Sequence, residues 1–334
     1  KIKGFMMKSI VTGGAGFIGS HTVDLLIKEG HEVIVIDNLV GGRLDNLIHL
    51  KNNPNLSIVE KDINNLSGEE NILANSDFIF HFAGIGDIVP SIENPYEYMK
   101  TNVLGTIRML EIADMLNVKK FVYAASSSCY GLADTPTDEL HKTDLKYPYA
   151  LSKFQGEQAC FHWSKVYGLN VNSIRIFNAY GTRSRTSGAY GAVIGVFLKQ
   201  KLENKPFTVV GDGNQKRDFV YVTDVAKAFY LAGISKVSGE IFNLGAGNPQ
   251  SINKLVKLIG GQKIEYIPKR NGEPNVTFAD IKKIKKLLNW SPKVDFENGI
   301  KLILENISYW EKAPLWNKDS IKEATATWFK YMGE

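Results

Sequence analysis

The 334 residues contain only two cysteines, Cys129 and Cys160, with no C-x-x-C and no Cys/His ligand spacing. A disulfide framework and a structural zinc site are therefore excluded, and a cytoplasmic, reducing setting is expected. Long apolar runs are lacking too: none approaches the roughly 18 residues of a membrane helix, so no membrane partner is expected. Charge of one sign is not gathered anywhere. The net charge is +5, yet lysines and arginines are mixed with acids along most of the chain, which speaks against nucleic-acid binding. The densest basic stretch, DIKKIKKLLNW (280–290), spaces Ile281, Ile284, Leu287 and Leu288 on one helical face and sends its lysines to another, the pattern of a solvated helix. Residues 1–6, KIKGFM, lack the apolar segment of a signal peptide and read as a tag or unstructured leader.

What is present suits a large core. At 44% hydrophobic residues the chain is long enough for one large domain or two lobes sharing a cleft. From Met7 to residue 176, β-branched runs alternate with longer helical patterns. The runs are SIVT, EVIVID, LSIVE, DFIFHF, KKFVYAAS and NVNSIRIF. That rhythm predicts an α/β fold, a doubly wound parallel sheet with helices on both faces. After residue 176 the rhythm gives way to Gly-rich loops and single elements, so residues 177–334 are expected to form a smaller mixed α/β lobe. The boundary is soft, because EIFNLG (240–245) is a candidate to return to the first sheet. Internal repeats and low-complexity tracts are lacking throughout.

SIVTGGAGFIGSHTVDLLIKEG runs strand, glycine turn, helix, with Gly13, Gly16 and Gly19 at G-x-x-G-x-x-G spacing and Phe17 and Ile18 opening the helix. HEVIVID then supplies a second strand ending in Asp37. This is the context that a dinucleotide-binding Rossmann unit requires. Glycines let the backbone approach a pyrophosphate, a helix N-terminus offers N–H groups, and the carboxylate accepts ribose hydroxyls. A carboxylate at Asp37 repels a 2′-phosphate, which favours NAD over NADP, although Arg43 is placed to receive such a phosphate. Asp62 and Ile63, after the third strand, and Phe82, Ala83 and Gly84, at the end of the fourth, lie where a ligand crossing the strand ends would pass. Asp62 fits a helix cap equally well.

YPYALSK sets Tyr149 and Lys153 four residues apart on one face of a helix start. A phenol titrates near pH 10, about three units too high for a base at neutrality. A neighbouring ammonium and a cationic nicotinamide are both expected to lower it.

TGGAGFIGS, SSSCYG, YALSK, RIFNAYGTR, GDGNQKRDFVYVTDVA and LNWSPKVDFENGI, in this order, resemble the extended short-chain dehydrogenase/reductase family of nucleotide-sugar-modifying enzymes, typified by UDP-galactose (UDP-glucose) 4-epimerase. The resemblance covers Met7 to about residue 310, and residues 312–334 have no counterpart and read as a packing helix. It implies catalysis by Ser126, Tyr149 and Lys153, with Ser126 and Tyr149 also touching the sugar. Asn178 is implied to hold the diphosphate region, and Arg217 and Arg270 the phosphates, although each also reads as an ordinary turn or surface residue. Asn38, Asn102 and Phe177 complete the expected cofactor contacts. GAYGAVIGVF (188–197) and KPFTVVGDG (205–213) are similar to the segments over the nucleotide base.

Relatives that eliminate water carry Asp-Glu after the catalytic hydroxyl residue, and relatives that decarboxylate carry Glu at the second position. Here Ser127 and Ser128 stand there, and a serine neither removes a C5 proton nor protonates a leaving hydroxyl well. Ser127 and Ser128 read as loop residues, and Cys129 as buried. Asp87 lies near the expected sugar pocket, where pointing inward would disfavour a uronic acid. The expected function is thus an NAD-dependent 4-epimerase of a nucleotide-diphosphate sugar, UDP favoured, working through a 4-keto intermediate. The alternatives are a net C4 oxidoreductase, a dehydratase-like enzyme, and a non-catalytic NAD sensor. The helices after residues 91 and 148 are candidates for a homodimer interface, or for wholly internal packing.

Overall fold

A computed structural model describes residues 6–186, 192–261 and 263–332. Seven strands form one parallel sheet: β1 (Lys8–Thr12), β2 (Glu32–Asp37), β3 (Leu56–Glu60), β4 (Phe78–His81), β5 (Lys120–Ser126), β6 (Val171–Ile176) and β7 (Glu240–Leu244). Their spatial order is β7-β6-β5-β4-β1-β2-β3. All six expected runs are in the sheet, and EIFNLG does return, pairing in parallel with β6 from Glu240↔Asn172 to Leu244↔Ile176.

Both faces of the sheet are covered, which is why its strands are continuous apolar runs rather than alternating ones. Successive side chains point to opposite faces. Val11, Val33, Val35, Phe80 and Val122 thus meet helix α1 (Phe17–Lys28) through Val23 and Leu26 in one buried cluster. Their neighbours Ile10, Ile34, Ile36, Ile79 and Phe121 meet Met109, Leu110 and Cys160 on the other face. A third cluster, built on Phe197, Phe207, Phe219, Ile300 and Trp310, lies under the C-terminal half. In that half the described strands are short pairs, such as Phe207–Val210 alongside Ile264–Ile267.

The strand order reverses direction at β1, between β2 and β4. Loops leaving the carboxyl ends of β1 and β4 diverge there, opening the crevice in which α/β folds bind ligands. The helices that frame it on the catalytic side are α2 (Ile88–Glu93), α3 (Gly105–Met115) and α4 (Pro148–Tyr167).

Two local expectations differ. In the basic stretch Ile281, Ile284 and Leu288 are buried, but Leu287 is exposed, because the helix spans only Lys282–Leu288 and ends one residue past it. The C-terminal segment forms two short helices, α5 (Lys318–Ala324) and α6 (Ala326–Met332), rather than one. Thr325 separates them, its hydroxyl donating 2.7 Å to the Ile321 carbonyl, a back-bond that bends helices.

Candidate active site at the carboxyl ends of the strands

The turn after β1 is shaped for close backbone approach. Gly13 has φ +67°, a left-handed value that side chains disfavour, and a Cβ on it would lie 2.8 Å from the Ala83 nitrogen. Gly16 caps α1 without any side-chain hydrogen bond to the first turn. Phe17 and Ile18 turn their side chains into the apolar clusters, so the helix presents backbone N–H groups to the crevice. Asp37 ends β2 and accepts from Ala15 N (3.0 Å) and Leu39 N (2.9 Å). Burial pushes its pKa up against these bonds. The set fits a dinucleotide: a bare backbone cradle beside a positive helix end, flanked by a carboxylate.

Asn38 Nδ2 donates to Asp62 (3.1 Å), bringing the expected adenosine-end residues together. Asp62 also accepts from Asn64 N (2.8 Å) and caps the turn Ile63–Asn65. The Ile63 side chain is buried in the apolar cluster beneath the sheet, so only its backbone is available to a ligand. Arg43 donates to Thr186 Oγ1 (2.7 Å) and lies over the Tyr309 ring, commitments that favour the cofactor without a 2′-phosphate.

At the other end, Ala83 and Gly84 lead from β4 toward Lys153. A Cβ on Gly84 would lie 3.0 Å from Asn102 Oδ1 and 3.6 Å from Lys153 Nζ. Asn102 sits in a π-helical turn, Lys100–Leu104, a feature frequent at functional sites. Its amide accepts from Ile85 N (2.7 Å) and donates to Ile85 O (3.0 Å) and Ser152 Oγ (2.9 Å). Asn102 therefore acts by clamping the loop to α4. Phe82 packs at a tilt against Phe229, ring centres 4.5 Å apart, and Phe177 packs near Tyr130.

Pro148 opens α4, so Tyr149 and Lys153 rise one turn apart at its start. Ser126 is the last residue of β5. Its hydroxyl accepts from Ser128 N (3.2 Å), and it acts on the Tyr149 phenol in the direction that lowers its pKa. Burial pushes the Tyr149 pKa up, Ser126 pulls it down, and the charge of Asp87 pushes it up further. Of these influences none comes from Lys153 in the chain by itself, and the expected lowering also involves the cationic nicotinamide. Burial governs both groups, and it brings the Lys153 ammonium down to about 8. That ammonium lies 4.6 Å from the centre of the Tyr123 ring. Beneath it His81 bridges Thr12 (2.7 Å) and Thr106 (3.0 Å), and burial, then the charge of Lys153, hold its imidazole at about 3.

A cavity of about 320 Å³ is lined in part by Asp87, whose charge acts on Tyr149, and by Asn178, Arg217, Arg270, Glu273 and Trp328. Asn178 Oδ1 accepts from Thr277 Oγ1 (2.8 Å). Arg217 donates to the Lys216 and Pro274 carbonyls, both at 2.9 Å. Glu273 lies 3.9 Å from Arg217 and 3.1 Å from Arg270. Asp87 lines the cavity from a backbone with φ +71° and pairs with Arg185 at 3.0 Å. Tyr98 donates to the Asp87 carbonyl (3.0 Å) and meets the Tyr149 ring edge-on. Ser128 lies in the short turn after β5 and acts on the Tyr147 hydroxyl in the direction that lowers its pKa. Cys129 is buried as expected, its thiol pushed up to about 12 by that burial. Part of GAYGAVIGVF, residues 188–191, lies outside the described residues.

Sequence reasoning missed Glu273, Arg185, Tyr98 and Trp328. Of these only Glu273 carried a local signal, three residues after Arg270.

A dinucleotide cradle and a Tyr-x-x-x-Lys pair meeting at the switch point of a parallel sheet define an α/β protein of the short-chain dehydrogenase/reductase type. The profile of the NAD dependent epimerase/dehydratase family matches residues 9–245. A putative UDP-glucose 4-epimerase of Methanocaldococcus jannaschii is 39% identical over 88% of this chain and 96% of its own length. The UDP-glucuronate 4-epimerase of Thermodesulfobacterium geofontis is 35% identical over 94% of this chain and 97% of its own. The crystal structure of UDP-glucuronic acid 4-epimerase from Bacillus cereus with UDP-glucuronic acid and NAD superposes with TM-score 0.84 at 30% identity, covering 90% of this chain and 99% of that one. The chain belongs to the NAD dependent epimerase/dehydratase family.

Proposed function

We propose that this chain is an NAD-dependent 4-epimerase of a nucleotide-diphosphate sugar, a UDP-sugar by its relatives, that inverts C4 through a transient 4-keto sugar. Bound NAD supplies a site that takes hydride from C4 and returns it. Gly13, Gly16 and Gly19 with the N–H groups of Phe17 and Ile18 hold the pyrophosphate, and Asp37 and Asn38 the adenosine ribose. Asp62 and the Ile63 backbone meet the adenine. Phe82, Ala83, Gly84 and Phe177 bound the nicotinamide half, with Asn102 fixing their loop.

Tyr149 takes the proton from the C4 hydroxyl and gives it back after the ketone presents its other face. Ser126, which already acts on the phenol, orients that hydroxyl. Lys153 holds the nicotinamide-side ribose and adds positive charge. Asn178, Arg217 and Arg270 grip the diphosphate, guanidinium forks matching phosphate oxygens.

The observation that carries this reading is Ser126 at the end of β5 acting on the Tyr149 phenol, one helical turn from Lys153 and followed by serines at 127 and 128. These residues suffice for moving one proton at C4. Elimination or decarboxylation needs a further acid, and the carboxylate nearest the phenol, Asp87, is bound to Arg185. The test is to incubate the purified protein with UDP-glucose and follow product by NMR alongside reduced-nicotinamide absorbance. Epimerised sugar without accumulating reduced cofactor is expected. Reduced cofactor growing in step with a keto or acid product would replace this reading by net oxidation.

We also propose a cytoplasmic homodimer. Its support is two buried free cysteines, which suit a reducing compartment, and exposed Tyr96, Leu104, Met115, Val166 and Tyr167 on the helical face formed by α3, α4 and the turns before α3. Among the described residues no helix is long and apolar enough to cross a membrane.

A further inference from the structure

Trp328 is among the largest side chains with almost no exposure, 1%, yet it is part of none of the three apolar clusters. It lines the cavity that also holds Asp87, Asn178 and the two arginines. Its Nε1 donates to the Asn271 carbonyl (3.1 Å), next to Arg270. Its ring centre lies 6.0 Å from that of Tyr147, two residues before Tyr149. The preceding residue, Thr327, donates to Glu93 (2.8 Å) at the end of α2. Helix α6 is thereby fastened to three separate elements around the cleft: α2, the approach to Tyr149, and the Arg270 loop. On the same helix Phe329 and Tyr331 face solvent, so the docking is spent on one side chain.

Resting on the epimerase reading of this cleft, we propose that α6 is a fixed wall of the substrate site and that Trp328 is its specificity-determining residue, admitting hexoses with hydroxyl substituents and excluding bulkier 2-acetamido sugars. The indole stands between the arginines that take the diphosphate and the Tyr147–Tyr149 segment that meets C4. The hexose spans that same interval. A rigid aromatic anchored by its own N–H bond cannot swing away to make room, and an apolar wall discriminates by size.

The test is calorimetric binding of UDP, UDP-glucose and UDP-N-acetylglucosamine to the NAD-containing wild type, Trp328→Ala and Trp328→Phe. The ratio of UDP-N-acetylglucosamine to UDP-glucose affinity is expected to rise at least about tenfold in the alanine variant and part-way in the phenylalanine variant. Any loosening of the Arg270 loop through the lost Asn271 bond should weaken UDP and both sugars alike, so the ratio of the two sugars isolates the wall. If the alanine variant does not fold, the phenylalanine variant alone decides, since its smaller ring keeps the packing but yields space. An unchanged ratio overturns the proposal. Because the readout is binding, wild-type protein that binds these sugars without epimerising them defeats the catalytic reading and leaves the wall standing. Wild-type protein that binds no nucleotide sugar defeats both.

Discussion

Asp87 and Arg185 close a 3.0 Å ion pair at the substrate cavity, joining residues 98 positions apart in the chain. The pair offers the sugar a neutralised rim rather than a free cation. Replacing Asp87 by Asn removes the negative charge, and asparagine tolerates the positive φ that this position requires. The guanidinium is then available to a carboxylate. Binding of UDP-glucuronate relative to UDP-glucose is expected to rise by about tenfold, a change typical of one rim charge. Competition titration reads it.

Tyr149→Phe removes the one group placed to carry the C4 proton. Its activity is expected to fall by at least about 10³-fold, within the range for losing a general base, while NAD stays bound. Ser126→Ala should cost less, because the phenol remains. Steady-state rates with the absorbance of bound cofactor check both, and full activity in the phenylalanine variant would end the proposed chemistry.

Glu273 stands where a diphosphate would be drawn, beside both Arg217 and Arg270. A carboxylate there competes with phosphate oxygens for the same guanidinium forks. Glu273→Gln should therefore tighten UDP binding several-fold, by roughly 1 kcal/mol for loss of one partly screened repulsion. Arg270→Ala should weaken it. Calorimetry with UDP alone separates these opposite signs.

His81 is buried and held at about 3, first by its burial and then by the charge of Lys153. The unfolded imidazole takes a proton near its ordinary pKa of 6.5. Between those values the unfolded state binds more protons, so stability is present above pH 6.5 and is lost as the pH falls. The contribution is about 1.4 kcal/mol per pH unit for a single proton. His81→Gln removes it. Denaturant melts from pH 6.5 to 4.5 should show the wild type losing stability more steeply than the variant by about that slope.

Much of this was legible along the chain. Strands buried on both faces must be written as β-branched runs, and a pyrophosphate cradle must be written in glycine. Asp37, Tyr149 and Lys153 are likewise fixed by distance along one strand or one helix turn. Local spacing does not carry the surroundings. The spacing of Tyr149 and Lys153 says nothing of the desolvation of the phenol, which comes from packed elements far apart in sequence. Asn102 reads as a cofactor ligand, and only the fold shows that its amide also ties the Ile85 loop to Ser152 of α4. Trp328 and Arg185 reach the cleft across loops whose paths no periodicity encodes.

The last strand of the sheet, β7, comes from the half of the chain that otherwise builds the substrate cavity, and it covers β6 along five register pairs. A fragment ending at residue 176 would leave that edge as an open row of backbone donors and acceptors, a template for pairing with other copies. Cutting the protein at its apparent seam would thus yield aggregating material rather than an independent cofactor module, and the two halves must be inherited, expressed and engineered together.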